Sequence, residues 1–287
     1  MLKCAICEND SRFEPVLSKG AEAGFTCHLK KCPRCEFIFM DPQPDVDLQK
    51  NLINTSTVYD SKLPDEQETQ NRQIILDYIE RFAKPPGRLL ELGCARGYLL
   101  AAARGSGWQT VGVEFSSKWA EYARSRLKLD IIETWLDGDS FDLKLTGKFD
   151  VIVMWHMLEH INNPKRFLER VGPYLKNSGI LIVQVPDFAK LGETIVGCHH
   201  LNYFTRDTLR RLMEHDYYVI DVTYDYVNKF VSMAMCKTFS VLFVWRLMEF
   251  PRIVTASLHT ITAQGFTEFL RQAREKIRHR EFRIKSR

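Results

Sequence analysis

The sequence predicts an α/β fold: a mostly parallel sheet flanked by helices, preceded by a small metal-held module and followed by a helical tail. Three observations predict it. Leu89-Leu90-Glu91-Leu92 runs into Gly93-Cys94-Ala95-Arg96-Gly97 and then Tyr98-Leu99-Leu100-Ala101-Ala102-Ala103, which reads as strand, tight turn and helix. From there to residue 237 apolar strand-like runs alternate with helical patterns, as in a sheet covered on both faces. Near the start, Cys4-Ala-Ile-Cys7 and Cys32-Pro-Arg-Cys35 form two C-x2-C pairs.

Composition narrows the function classes. The chain has 287 residues, 45% of them apolar, enough for one main domain with additions. A net charge of +4 gives nucleic acid little electrostatic support, so a nucleic-acid partner is not expected. With neither a membrane-length apolar run nor a signal-like N-terminus, the expected location is cytoplasmic. Eight cysteines then read as metal ligands, catalysts or core residues in preference to disulfides.

Taken in order, the paired cysteines form a ribbon over residues 1–44. Each pair offers two thiolates on one knuckle, so Cys4, Cys7, Cys32 and Cys35 supply the tetrahedral set that a structural zinc prefers. Cys27 and His28 could replace one ligand but lie outside the pattern. Glu36–Met40 reads as a short strand halted by Pro42 and Pro44. Residues 45–85 are a linker followed by a helix from Gln70 to Phe82, with Ile74, Ile75, Tyr78, Ile79 and Phe82 on one face. Tyr59 in that linker reads as a surface or packing residue.

The main domain occupies residues 86–237. A second strand, Thr110–Glu114, ends in an acid about 20 residues after Gly93, the spacing of a nucleotide-site carboxylate. Ser117 is placed to cap the next helix, and Asp130–Thr134 makes a third strand. Phe149–Trp155 is the fourth, Asn163-Pro164 opens a helix, and Ile180–Val185 is a buried fifth strand. Thr205 caps a further helix with Leu209, Leu212 and Met213 inward, and two closing strands cover Tyr217–Tyr226 and Lys229–Cys236. Residues 238–287 extend beyond this core, as a buried or dimer-forming helix pair or as a basic, aromatic contact with an acidic membrane surface.

ELGCARG, VGVE and FDVIVMWHMLEHI, in that order and spacing, resemble the nucleotide-binding half of class I S-adenosylmethionine-dependent methyltransferases. CPRCEFIFMDPQP further resembles a bacterial group in which a zinc ribbon precedes such a domain, often linked to polysaccharide or sugar modification. The resemblance implies a Rossmann-like sheet whose last strand inserts antiparallel. It implies S-adenosylmethionine as cofactor, held by Glu91, Gly93, Cys94, Ala95, Gly97, Glu114, Phe115, Trp135, Leu136, Trp155 and His156. Glu91 would meet the methionine ammonium and Glu114 the ribose, while Trp135 flanks adenine or simply packs in the core. The family usually carries glycine at the Ala95 position, where a methyl group is tolerable only if the backbone is not left-handed.

Three residues are candidates for proton removal from the acceptor. His200 lies on the loop after the fifth strand, in HLNYFT, a stretch resembling one near the acceptor site of that group, where an exposed histidine of near-neutral pKa suits proton removal. His160 and Glu159 belong to the LEH sequence after the fourth strand, with His156 flanking the same helix. Structural roles for both histidines, and transfer by proximity alone, remain open alternatives. The expected acceptor is a small molecule or glycan precursor. An RNA substrate clamped by the ribbon, or a catalytically silent scaffold, are the alternatives.

Overall fold

Leu89, Leu90, Leu92, Val151–Met154 and Leu181–Val183 are all fully buried, and the strands that carry them form the middle of a seven-stranded sheet. The structure is a computed structural model describing residues 2–238 apart from 11, 23, 56–62, 138–144 and 226–228. The chain divides into two units, Met1–Val241 and Leu242–Arg287. Tyr59 and the expected C-terminal helices therefore lie outside the described residues. No helix among the described residues is long and apolar enough to cross a membrane.

The large sheet contains β4 (Arg88–Leu92), β5 (Gln109–Glu114), β6 (Ile131–Glu133), β7 (Phe149–Trp155), β8 (Leu175–Pro186), β10 (Tyr218–Asp225) and β11 (Phe230–Cys236). Its order is β10-β11-β8-β7-β4-β5-β6. The five strands from β8 to β6 run parallel, while β11 enters antiparallel between β8 and β10. Because the order reverses at β4, the carboxyl ends of β4, β5 and β7 open into a crevice.

Helix signals in this half are local and hold well. Asn163 accepts a hydrogen bond from Arg166 N at the start of α6 (Pro164–Val171). Thr205 and Thr208 make a reciprocal capping box on α8 (Arg206–Met213), whose Leu209, Leu212 and Met213 are buried. Two expectations need correction. Ser116, not Ser117, precedes α5 (Ser117–Ser125); the Ser117 hydroxyl instead donates to Glu133. The single helix expected over Gln70–Phe82 is two, α2 (Asp65–Asn71) and α3 (Gln73–Ile79), broken at Arg72. That break rotates the apolar face, so Ile75, Leu76 and Ile79 go inward while Ile74 is 80% exposed. It also turns Arg72 onto the wall of the crevice.

At the N-terminus, β1 (Glu14–Glu22) and β2 (Phe25–Lys31) form a hairpin, β3 (Ile38–Met40) adds to it, and β9 (Asn202–Tyr203) completes the small sheet. The module is thereby stitched to the loop that leads out of β8. Phe37 packs at a tilt against Phe204, ring centroids 5.3 Å apart, and lies in the same apolar core as Leu90, Ile152 and Leu209. Cys27 and Cys198 are joined by a disulfide across this small sheet's own core. Cys27 is thus no substitute metal ligand, and the expectation of no disulfides fails at this pair. The two residues are 171 positions apart, and only the meeting of β2 with the segment before β9 brings them together.

Candidate active site

Built on the carboxyl ends of β4, β5 and β7, the loop Gly93–Gly97 is the floor of a cleft. Gly93 (φ +77°) and Gly97 (φ +80°) are both left-handed. A Cβ at Gly93 would sit 2.7 Å from Met157 Cγ, and one at Gly97 2.5 Å from Leu129 Cδ1, so both positions need glycine. The main-chain N–H groups of Gly93 and Cys94 donate to Val113 O at 2.9 and 3.0 Å.

Glu114 clamps this loop. One carboxylate oxygen accepts from Ala95 N and the other from Ser116 N, both at 2.8 Å. Burial raises its pKa, and those N–H donors work against the rise. Ala95 itself is left-handed at φ +46°, the one condition under which its methyl group was expected to be unfavourable. An L-residue pays roughly 1–2 kcal/mol there, partly offset by the entropy glycine loses on folding. Ala95→Gly is therefore expected to stabilise the protein by about 0.5–1 kcal/mol in urea unfolding.

Glu91 is buried behind the loop and its Oε2 has no hydrogen-bond partner. Burial pushes its pKa from the ordinary 4.5 to about 8, against the pull of Arg72 and with a further push from Glu114. The folded protein thus holds a proton between pH 4.5 and about 8 that the unfolded chain has released. This contribution is most favourable below pH 4.5, and stability falls by up to about 1.4 kcal/mol per pH unit as pH rises toward 8. Glu91→Gln is expected to flatten that slope in urea titrations between pH 5 and 8.

Two connected cavities flank the loop. In the first, Phe115 and Trp135 meet edge to face at 4.8 Å, and Leu136, Asp137 and Glu114 complete the wall. Trp135 Nε1 is buried without a hydrogen-bond partner, so its ring edge awaits an acceptor. The second cavity, of about 510 Å³, is lined by Glu68, Arg72, Glu91, Cys94, Gly97, Trp155 and Pro186 on one side and by the histidine cluster on the other. Gly93, Ala95, His156 and His160 border both. Every residue expected to touch the cofactor lies on one or both of these walls.

The three candidates for proton removal meet at the far end. Glu159 is 2% exposed, and His160 and His200 face it with ring centroids 4.9 Å apart. His160 Nδ1 bonds His199 O at 2.7 Å, and His200 Nδ1 bonds Ile195 O at 2.9 Å. As a carbonyl can only accept, each Nδ1 carries a proton, and in a neutral ring the lone pair then sits on Nε2. Burial, then His160 and His199, pushes the His200 pKa down to about 3. The expectation of an exposed histidine titrating near neutrality is corrected: His200 is neutral at pH 7 and a weak base. Burial acts to raise Glu159, but His156, His160 and His200 outweigh it and hold the carboxyl at about 2.

His156 has a left-handed backbone (φ +53°), fixed by His156 N donating to Gln184 O, and its ring packs on Phe230 at 4.3 Å. Arg72, Glu68, His199 and Phe230 were missed from the sequence. Arg72 and Phe230 have no motif around them and arrive through the helix break and the antiparallel strand. His199 could have been noticed from its place beside His200.

Comparison with known proteins agrees with this geometry. The ubiquinone biosynthesis O-methyltransferase of Aromatoleum aromaticum is 32% identical over 95 residues, covering 31% of this chain and 40% of that protein. A probable S-adenosylmethionine-dependent methyltransferase of Mycobacterium tuberculosis is 26% identical over 160 residues, covering 53% and 51%. The chain spans about half the length of the curated relatives it matches. A crystal structure of a Pyrococcus horikoshii protein shares the fold, with TM-score 0.54 and 16% identity over 66% of this chain and 99% of that one. Residues 66–218, just over half of the chain, match the methyltransferase-domain family, and the chain belongs to that family.

Proposed function

We propose that the protein transfers a methyl group from S-adenosylmethionine to a hydroxyl of a small molecule or glycan precursor, with a structural zinc in its N-terminal module. The observation that carries this reading is the continuity of the cleft: a half walled by Phe115 and Trp135 and a histidine-lined half share Gly93, Ala95, His156 and His160. Support for oxygen as the acceptor comes from the O-methyltransferases among the relatives.

When bound, S-adenosylmethionine supplies a methyl carbon on a positive sulfonium. As the acceptor oxygen bonds to that carbon the sulfur bond breaks, leaving S-adenosylhomocysteine, the methyl ether and one proton. Glu91 and Arg72 would meet the amino-acid end and Glu114 the ribose, while Phe115, Trp135 and Leu136 flank the adenine. His156 borders both halves and, with Trp155 beside it in the second, would hold the acceptor in line, which is where most of the rate gain in such a displacement arises. His160, His200 and Glu159 line the side of the cleft where the hydroxyl would lie and would orient it.

The thiols of Cys4, Cys7, Cys32 and Cys35 fit zinc: all four sulfurs lie within 4.8 Å of one another, Cys4 with Cys35 at 3.5 Å and Cys7 with Cys32 at 3.6 Å. Tetrahedral Zn–S bonds of about 2.3 Å place sulfurs at this spacing. Four protein ligands close such a site, so its role is to hold the module.

Calorimetric titration with S-adenosylmethionine and S-adenosylhomocysteine tests the reading. Micromolar binding, about −8 kcal/mol, is expected for both. Absence of heat with either ligand would overturn it in favour of a silent scaffold.

A further inference from the structure

We propose that Glu159, His160 and His200 form a second, exchangeable metal site, for a divalent transition ion, on the acceptor side of the cleft. One ligand atom from each residue lies within 4.8 Å of the others. Bonds of about 2.1 Å from an ion would draw these atoms closer together, through side-chain rotation.

Glu159 is the observation that asks for a cation. It is 2% exposed, and neither carboxylate oxygen has a hydrogen-bond partner. Its ion-pair contact, His156 Nδ1, stands 3.5 Å from Oε1, long for a hydrogen bond. A buried carboxylate in that state is costly unless something positive lies against it. The histidines supply an independent observation. Both spend Nδ1–H on a main-chain carbonyl, His199 O and Ile195 O, so both Nε2 lone pairs are left over. That arrangement fixes tautomer and ring angle in metal-binding histidines. Leu201 N further anchors the Glu159 main chain at 2.9 Å, tying the two ligand-bearing segments together.

Two imidazoles and one carboxylate suit borderline ions of the Zn2+, Co2+, Fe2+ or Mn2+ kind better than Ca2+ or Mg2+. This differs from the cysteine module in kind: three protein ligands would leave coordination positions open, and all three residues line the 510 Å³ cavity. An oxygen of water or of the acceptor completes the shell. The ion would lower the pKa of that oxygen and so activate it. The acceptor's share in this rests on the methyl-transfer reading above; the metal site does not.

The test uses the full chain with zinc retained in the cysteine module and added Co2+ as the probe. Expected is one Co2+ per chain with weak visible d–d bands and no thiolate charge-transfer band, which separates it from exchange into the cysteines. Glu159→Gln and His200→Ala are each expected to weaken that binding at least 10-fold while thermal unfolding and S-adenosylhomocysteine affinity stay near the parent. Should Glu159→Gln fail to fold, His160→Ala takes its place. No Co2+ bound beside the retained zinc on the parent protein, or parental Co2+ affinity in the folded variants, would overturn the site. Failure to bind S-adenosylhomocysteine with Co2+ binding intact would instead count against the methyl-transfer reading alone.

Discussion

Glu114→Ala is expected to weaken S-adenosylhomocysteine binding by on the order of 10–100-fold, about 1–3 kcal/mol, and to lower stability by about 2–4 kcal/mol. The two effects have separate origins. Stability suffers because Ala95 N and Ser116 N each lose a charged acceptor at 2.8 Å inside the protein, and an unpaired buried donor costs about 1–3 kcal/mol. Affinity suffers because the ribose loses its carboxylate and the left-handed Ala95 loses the contact that holds it. Glu114→Gln keeps one acceptor oxygen and should fall between parent and alanine. Urea unfolding and calorimetry read the two quantities independently; parental affinity in a folded Glu114→Ala would remove this residue from the cofactor site.

Cys32→Ser is expected to release the thiolate-bound metal and to destabilise the protein by more than about 3 kcal/mol, since binding at a structural zinc site is itself folding free energy. The loss should not stay at the N-terminus. Phe37 and Phe39 share their core with Leu90, Phe204 and Leu209, and β3 pairs directly with β9 through Ile38–Tyr203 and Phe39–Asn202. Asn202 lies two residues after His200, so melting the small sheet displaces the histidine end of the cleft. Metal analysis and thermal unfolding check the outcome. A variant with parental melting temperature and S-adenosylhomocysteine affinity would contradict a structural role.

What the sequence made legible follows the range of the interaction. Gly93 and Gly97 announce a turn because no side chain fits there, and Asn163 and Thr205 announce helix starts because their caps act within three residues. The strand ends that build the cleft were readable for the same reason: alternation of strand and helix leaves few topologies, and ligands gather at the carboxyl edge. Long-range pairings were not readable. Nothing near Cys27 points to Cys198, and nothing near Phe39 points to Asn202. The break at Arg72 also escaped, because every residue from Gln70 to Phe82 is compatible with one continuous helix and only packing on the crevice decides otherwise. Proton affinity was misjudged at His200 because loop position suggests exposure, whereas burial among His160 and His199 governs.

The order β1-β2-β3-β9 has a consequence on the ribosome. β3 leaves the exit tunnel early and its partner strand only after Asn202 has been made, so one edge stays open through the synthesis of most of the parallel sheet. At about 5–20 residues per second that interval lasts on the order of 10 s. An open edge is a template for a neighbouring nascent chain. Brevity limits the exposure: β3 spans three residues and the proline at position 42 follows soon after it. Crowded polysomes and slow translation are thus the conditions in which this chain is most exposed to mispairing before it can finish its own sheet.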